Sequence, residues 1–289
     1  MFALDPVPEL PEVETVRRGL EQRTTGMTIA RVEVLRPRAI AAPDDPDLFA
    51  LALKDTLLSR WRRRGKYLLA DLHHGADAEP AGQWGVHLRM TGQFLWLETD
   101  QPPCRHTRVR IWSTRGQELR FVDTRSFGQM WWVPQGSATE AVITGLARLG
   151  PEPFSEAFTA EYLQQRLQKS NRAIKTALLD QSLVAGIGNI YADESLYAAG
   201  IRPQTPSQQL NTEQLNRLRQ AVVEVLEISI GAGGTTFSDF RDLTGTNGNY
   251  GGVAWVYRRS GQPCRRCGTP IQRERLGGRS SHWCPTCQS

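Results

Sequence analysis

Cys264, Cys267, Cys284 and Cys287 close the chain in a C-x2-C-x16-C-x2-C array. Two knuckles at this spacing fold a short hairpin so that four thiolates meet at one tetrahedral Zn2+, which replaces the hydrophobic core that so few residues cannot build. Two disulfides are the competing arrangement. They fit poorly, because a 289-residue chain with five cysteines and no signal peptide reads as cytosolic, where thiols stay reduced. The fifth cysteine, Cys104, has no knuckle partner and is read as a structural or incidental thiol.

Charge gathers on the same hairpin. Arg258, Arg259, Arg265, Arg266, Arg273, Arg275 and Arg279 face one acid, Glu274, for seven minus one, or +6. A metal-stapled hairpin of that charge suits a phosphate backbone. The whole chain carries +5 with a pI near 9.1, a mild bias in the same direction. No apolar run reaches the ~20 residues of a membrane span, so a membrane partner is excluded from the reading. Only four lysines occur, Lys54, Lys66, Lys169 and Lys175.

Three regions follow along the chain. From Pro8 to Leu20, apolar Leu10, Val13, Val16 and Leu20 with acidic Glu9, Glu12 and Glu14 near the start predict an amphipathic helix with acids at its positive end. Thr28–Leu35, Tyr67–Leu72, Phe94–Leu97, Arg108–Trp112, Glu118–Val122 and Met130–Val133 read as short strands of an antiparallel β-sandwich or barrel. Beyond a linker read at Leu149-Gly150-Pro151-Glu152-Pro153, Thr159–Lys169, Ala173–Leu183, Ile190–Ala199 and Thr212–Ile230 have helical periodicity, with Gly200 and Gly231 as stops.

Gly186-Ile187-Gly188-Asn189 joins two of these helices. Its glycines permit close backbone approach, and Asn189 is expected to cap the helix starting at Ile190, leaving N–H groups for a phosphate. A tight helix–helix turn needs glycine on structural grounds alone. The glycine-dense stretch Phe237–Val253 is read as either a lid or a linker.

In order along the chain, Pro8-Glu9-Leu10-Pro11-Glu12-Val13-Glu14-Thr15-Val16-Arg17-Arg18-Gly19, Arg63-Arg64-Gly65-Lys66-Tyr67-Leu68-Leu69, His87-Leu88-Arg89-Met90-Thr91-Gly92, Asp123-Thr124-Arg125-Ser126-Phe127-Gly128, Gly186–Tyr191 and the cysteine hairpin resemble the formamidopyrimidine-DNA glycosylases. The resemblance covers nearly the whole chain from Pro8. It implies an α+β multidomain fold. Residues 8–148 would form an N-terminal helix plus antiparallel β-sandwich, 154–235 a helix-two-turn-helix domain, 236–254 a lesion-recognition loop and 255–289 a zinc hairpin, with residues 1–7 an extension outside the functional chain.

The resemblance also implies an activity: excision of oxidised purines such as 8-oxoguanine and formamidopyrimidines, followed by lyase cleavage of the abasic site. It assigns nucleophile to Pro8, whose secondary amine, if N-terminal, attacks the sugar C1′. Glu9 is the proton-transfer carboxylate, and Glu12 positions the deoxyribose and helix start. Lys66 and Arg279 act at the phosphates, Arg279 as a clamp rather than a proton donor. Met90, Arg125 and Phe127 fill the gap left by an everted nucleotide. His106, Asn189 and His87 align with phosphate contacts, a satisfied histidine beside the sheet being the equal alternative for His87. At Ser170-Asn171, where relatives often carry lysine, Arg172 is the candidate substitute.

An amide nitrogen is not a nucleophile, so Met1 to Val7 must be absent for Pro8 to act. A GTG start codon at Val7 would supply that end. If the extension persists, the chain reads as a non-catalytic DNA-binding protein. Within the enzyme class, the alternative is the endonuclease-eight type acting on oxidised pyrimidines. The expected cofactor is one structural Zn2+, held by Cys264, Cys267, Cys284 and Cys287. The expected partner is double-stranded DNA containing oxidised bases, bound by a cytoplasmic, nucleoid-associated monomer.

Overall fold

The computed structural model describes residues 8–75, 79–235 and 252–289. The expected extension at 1–7 and most of the expected loop over 236–254 lie outside the described residues. The chain divides into two compact units. One holds residue 8, residues 12–147 and residue 235, and the other holds 9–11, 148–234 and 252–289 among the described residues.

The first unit takes in helix α1 (Leu10–Thr24) from Glu12 onward, followed by β1 (Met27–Val34), β2 (Ile40–Ala42), α2 (Pro46–Leu53), β3 (Thr56–Arg64), β4 (Tyr67–His74), β5 (Glu79–His87), β6 (Gly92–Leu97), β7 (Thr107–Ser113), β8 (Glu118–Asp123), β9 (Gln129–Val133) and α3 (Thr139–Val142). The strand order is β2-β9-β5-β4-β3-β1-β7-β8-β6. Strand β1 changes partner along its length. Met27 and Thr28 pair with β3, and after a bulge at Ile29 and Arg31 the strand pairs with β7. Two sheets therefore share one strand and close on one core, in which Val13, Val16 and Leu20 of α1 join Trp61, Trp84, Phe94, Val109 and Phe121. The edge-to-face contact of Trp84 with Phe94, at 5.9 Å between centroids, joins β5 to β6 inside this core. The sandwich departs from a wholly antiparallel one at its edge, where β2 runs parallel to β9.

The second unit holds α4 (Ala160–Leu167), α5 (Ile174–Leu178), α6 (Asn189–Ala199), α7 (Thr212–Gly231) and the hairpin of β10 (Gln272–Leu276) with β11 (Arg279–Trp283). The helix expected over Ala173–Leu183 ends at Leu178, because the Asp180 side chain takes the Ser182 N–H at 2.9 Å and turns the chain. The next turn is held by Gln181, whose amide accepts from Gly186 N–H and donates to Ile187 O. Helix α6 is buried on nearly every side, and Gly200, in the left-handed region at φ 71°, ends it. Among the described residues no helix is long and apolar enough to cross a membrane.

Candidate active site and metal centre

The first-turn N–H groups of α6 have no partner within the helix, and the dipole makes that end positive. Asn189 does not cap it, contrary to the sequence expectation. The cap position falls on Gly188, which has no side chain, and the role passes to Glu9. The Glu9 carboxylate accepts from the N–H groups of Gly188 and Ile190 at 2.9 Å and of Tyr191 at 3.2 Å. Its side chain is buried, so these three bonds both orient it and offset its loss of water. Glycine at 188 leaves room for this seat, since a Cβ there would come within 2.3 Å of the Glu9 Cδ and the carboxylate would have to shift. Leu10 completes the seat by donating its N–H to Gly186 O at 3.0 Å.

Asn189, half-buried, donates through Nδ2 to Ser280 Oγ at 3.4 Å, against the hairpin residue that follows exposed Arg279. Arg172 is exposed and pairs with Asp180 at 2.9 Å. Two acids that sequence reasoning passed over sit side by side on α6. Asp193 accepts from Lys175 Nζ at 2.6 Å, from His282 N–H and from the His282 ring, while Lys175 also donates to Ser280 O. Burial pulls the Lys175 ammonium below the usual lysine range, against the attraction of Asp193. Glu194 accepts from the N–H groups of Trp255, Val256 and Tyr257 at 2.8 to 2.9 Å. Burial pushes the Glu194 carboxyl up, and the three N–H bonds oppose it. In the sequence Lys175 is only one of four lysines and has no role assigned to it, and nothing local marks Asp193 or Glu194 as buried.

The four hairpin thiols converge. Their sulfurs all lie within 4.8 Å of one another, with Cys267 to Cys284 at 3.5 Å and Cys264 to Cys287 at 3.9 Å. Tetrahedral Zn–S bonds of ~2.3 Å require sulfurs about 3.8 Å apart. None of the four is in a disulfide. They fit one zinc ion with no coordination position left over, which makes the metal structural.

In the first unit, Pro8 is buried just ahead of α1. Glu12 is buried and accepts from the Thr235 N–H at 2.8 Å and hydroxyl at 3.0 Å. Lys66 occupies the turn between β3 and β4 after Gly65, in the left-handed region at φ 55°. His87 is buried, and its Nδ1 accepts the Arg89 N–H at 2.9 Å, so its proton is on Nε2. Burial, with Arg89 and Lys66 nearby, pulls its pKa down to about 3, and the ring is neutral.

The segments carrying Met90, His106, Arg125 and Phe127 are tied together by Asp123, which opens the Asp123–Gly128 motif but has no role assigned from the sequence. This buried carboxylate accepts from the Thr91 hydroxyl, from Arg125 N–H at 3.2 Å and from Gly128 N–H at 2.7 Å, while its own N–H donates to His106 O at 2.9 Å. One side chain thus braces the turn carrying Met90 and the turn carrying Arg125 and Phe127. Phe127 remains 40% exposed, with the guanidinium of Arg125 at 5.1 Å and that of Arg38 at 5.8 Å from its ring centroid.

A buried carboxylate on a helix start, a braced pair of turns with an exposed aromatic ring and a four-thiol hairpin are the parts of a protein that works on nucleic acid. Residues 7–130 match the formamidopyrimidine-DNA glycosylase N-terminal domain, 149–241 the H2TH domain of the same enzymes, and 261–289 a zinc finger found in FPG and IleRS. The chain belongs to the formamidopyrimidine-DNA glycosylase family. Proteins of that name from Prochlorococcus marinus and a Synechococcus species are 64% and 66% identical to it, over 98% of this chain and 100% and 99% of theirs. A Lactococcus lactis Fpg in complex with DNA containing an abasic site superposes with a TM-score of 0.87 at 34% identity, covering 97% of this chain and 99% of that one. A Lactococcus lactis FPG mutant with Fapy-dG-containing DNA gives 0.87 at 33%, covering 98% and 100%.

Proposed function

We propose that this chain is a bifunctional DNA glycosylase and abasic-site lyase of base excision repair that removes oxidised purines, 8-oxoguanine and formamidopyrimidines, from double-stranded DNA. The observation that carries the reading is the Glu9 carboxylate seated on three backbone N–H groups, one residue from Pro8. The Pro8 nitrogen attacks C1′ of the lesion nucleotide, the glycosidic bond breaks and the base leaves with a proton. Glu9, held in one orientation, exchanges the proton that ring opening of the sugar requires. The resulting iminium acidifies C2′, so the 3′ phosphate and then the 5′ phosphate are eliminated. Lys66 and Arg279 neutralise those phosphates, and His106, Asn189 and the neutral donor His87 hold the backbone. Met90, Arg125 and Phe127 occupy the space of the everted nucleotide. Zinc orders the hairpin that presents Arg279, and it supplies no chemistry to the reacting sugar.

The active form is a monomer beginning at Pro8, acting in the cytoplasm at the nucleoid. Borohydride trapping on an oxidised-purine duplex, with the intact mass of the trapped species, tests the reading. A trapped complex is expected only for protein whose mass begins at Pro8. A trapped complex on protein that retains Met1 to Val7 would overturn Pro8 as nucleophile.

A further inference from the structure

Tyr197 lies near the end of α6 with its side chain almost wholly buried, 1% exposed. Its hydroxyl is 3.2 Å from Cys264 Sγ. With zinc bound, Cys264 is a thiolate and has no proton to give, so the phenol must be the donor. We infer that Tyr197 is a positioning residue for the metal centre, a hydrogen-bond donor to one zinc thiolate that ties α6 to the hairpin and slows zinc loss.

Four thiolates on one Zn2+ leave an excess of two negative charges, and Cys264 and Cys284 are the two that are buried. Charge held away from water needs donors. Cys284 receives the Cys287 N–H at 3.5 Å, and Cys264 receives the Arg266 N–H at 3.4 Å. The Tyr197 hydroxyl adds to these backbone donors, and among the described residues it is the donor to Cys264 that comes from outside the knuckles. The surroundings suit that task. Trp255 stacks on the Tyr197 ring, with centroids 5.7 Å apart and planes inclined by 22°, which restricts the ring. The Arg266 guanidinium lies 5.1 Å from the ring centroid, and a cation there withdraws electron density and strengthens the phenol as a donor. Metal ligation asks only for the four thiols, so the hydroxyl is an addition to the site rather than part of it.

Tyr197→Phe removes the hydroxyl and keeps the ring. The zinc-loaded variant should release its metal to a chromogenic chelator about tenfold faster than the parent, in the range that outer-shell partners contribute to metal affinity. In protein reconstituted with Co2+, the sulfur-to-cobalt charge-transfer band of the variant should move to longer wavelength, because a thiolate that has lost a donor gives up its electron more easily. Tyr197→Trp, which keeps an aromatic ring but cannot place an O–H at the sulfur, should not restore the parent's release rate. Unchanged release kinetics and an unshifted cobalt band in Tyr197→Phe would overturn the inference.

Discussion

The carboxylate of Glu9 reaches the backbone nitrogen of Gly188 at 2.9 Å across 179 residues of chain. Gln at position 9 keeps the shape but turns an NH2 group toward N–H donors, leaving part of the helix start unsatisfied. Glu9→Gln is expected to abolish base excision in single-turnover assays and to cost about 1–3 kcal/mol in urea denaturation. Wild-type excision would make Glu9 a cap and nothing more.

Gly188→Ala probes the same contact from the other side. The added methyl must displace the Glu9 carboxylate, so excision should fall while zinc content, measured by atomic absorption, stays at one per chain.

His87 sets an acid limit on stability. The unfolded ring takes up a proton below its ordinary value near 6.5, while the folded ring stays neutral down to about 3. Protons therefore favour the unfolded state across this window. The full contribution is present above pH 6.5 and declines as pH falls toward 3, by about 2 kcal/mol at pH 5. His87→Gln should lose less stability than the parent between pH 7 and pH 5. Parallel Tm-against-pH curves for the two proteins would refute this assignment.

Asp123→Ala should loosen both turns that this carboxylate braces. Weaker binding to duplexes with a stable abasic-site analogue is expected, with stability lowered by about 1–3 kcal/mol and no change in zinc content. Lesion-DNA affinity equal to the parent's would show that the turns hold without it.

Zinc and arginine separate on the hairpin. Cys267→Ser should release zinc and lose DNA affinity strongly, whereas Arg279→Ala should keep its zinc and reduce the salt slope of log affinity by about 0.9, the worth of one phosphate contact. Unchanged affinity and slope in Cys267→Ser would remove the hairpin from the DNA-binding surface.

Local pattern made much of this legible. The cysteine spacing marked the metal hairpin, apolar residues at helical spacing marked α1, and Val, Ile and aromatic runs marked six strands. Strand β3 escaped notice because its residues Arg60, Arg62, Arg63 and Arg64 hide the buried Leu58 and Trp61, and β5 because Gly82 and Gly85 read as breaks. Helix α2, eight residues long with exposed Leu48 and Leu51, has no polar stripe to signal its amphipathicity. The Glu9 seat and the Asp123 brace could not be read locally at all. Each joins a side chain to backbone N–H groups, which every residue type except proline possesses and which therefore leave no mark in a sequence.

Helix α6 carries, in eleven residues, the Glu9 seat at its start, Asp193 and Glu194 in its middle and Tyr197 near its end. One inserted or deleted residue would rotate everything beyond it by about 100° and shift it by about 1.5 Å. Asp193 and Glu194, whose partners lie on α5, on β11 and at 255–257, would lose register together. Length is therefore constrained here more tightly than any single side chain, and a single-codon insertion between Asn189 and Asp193 should be more damaging than any one substitution within it.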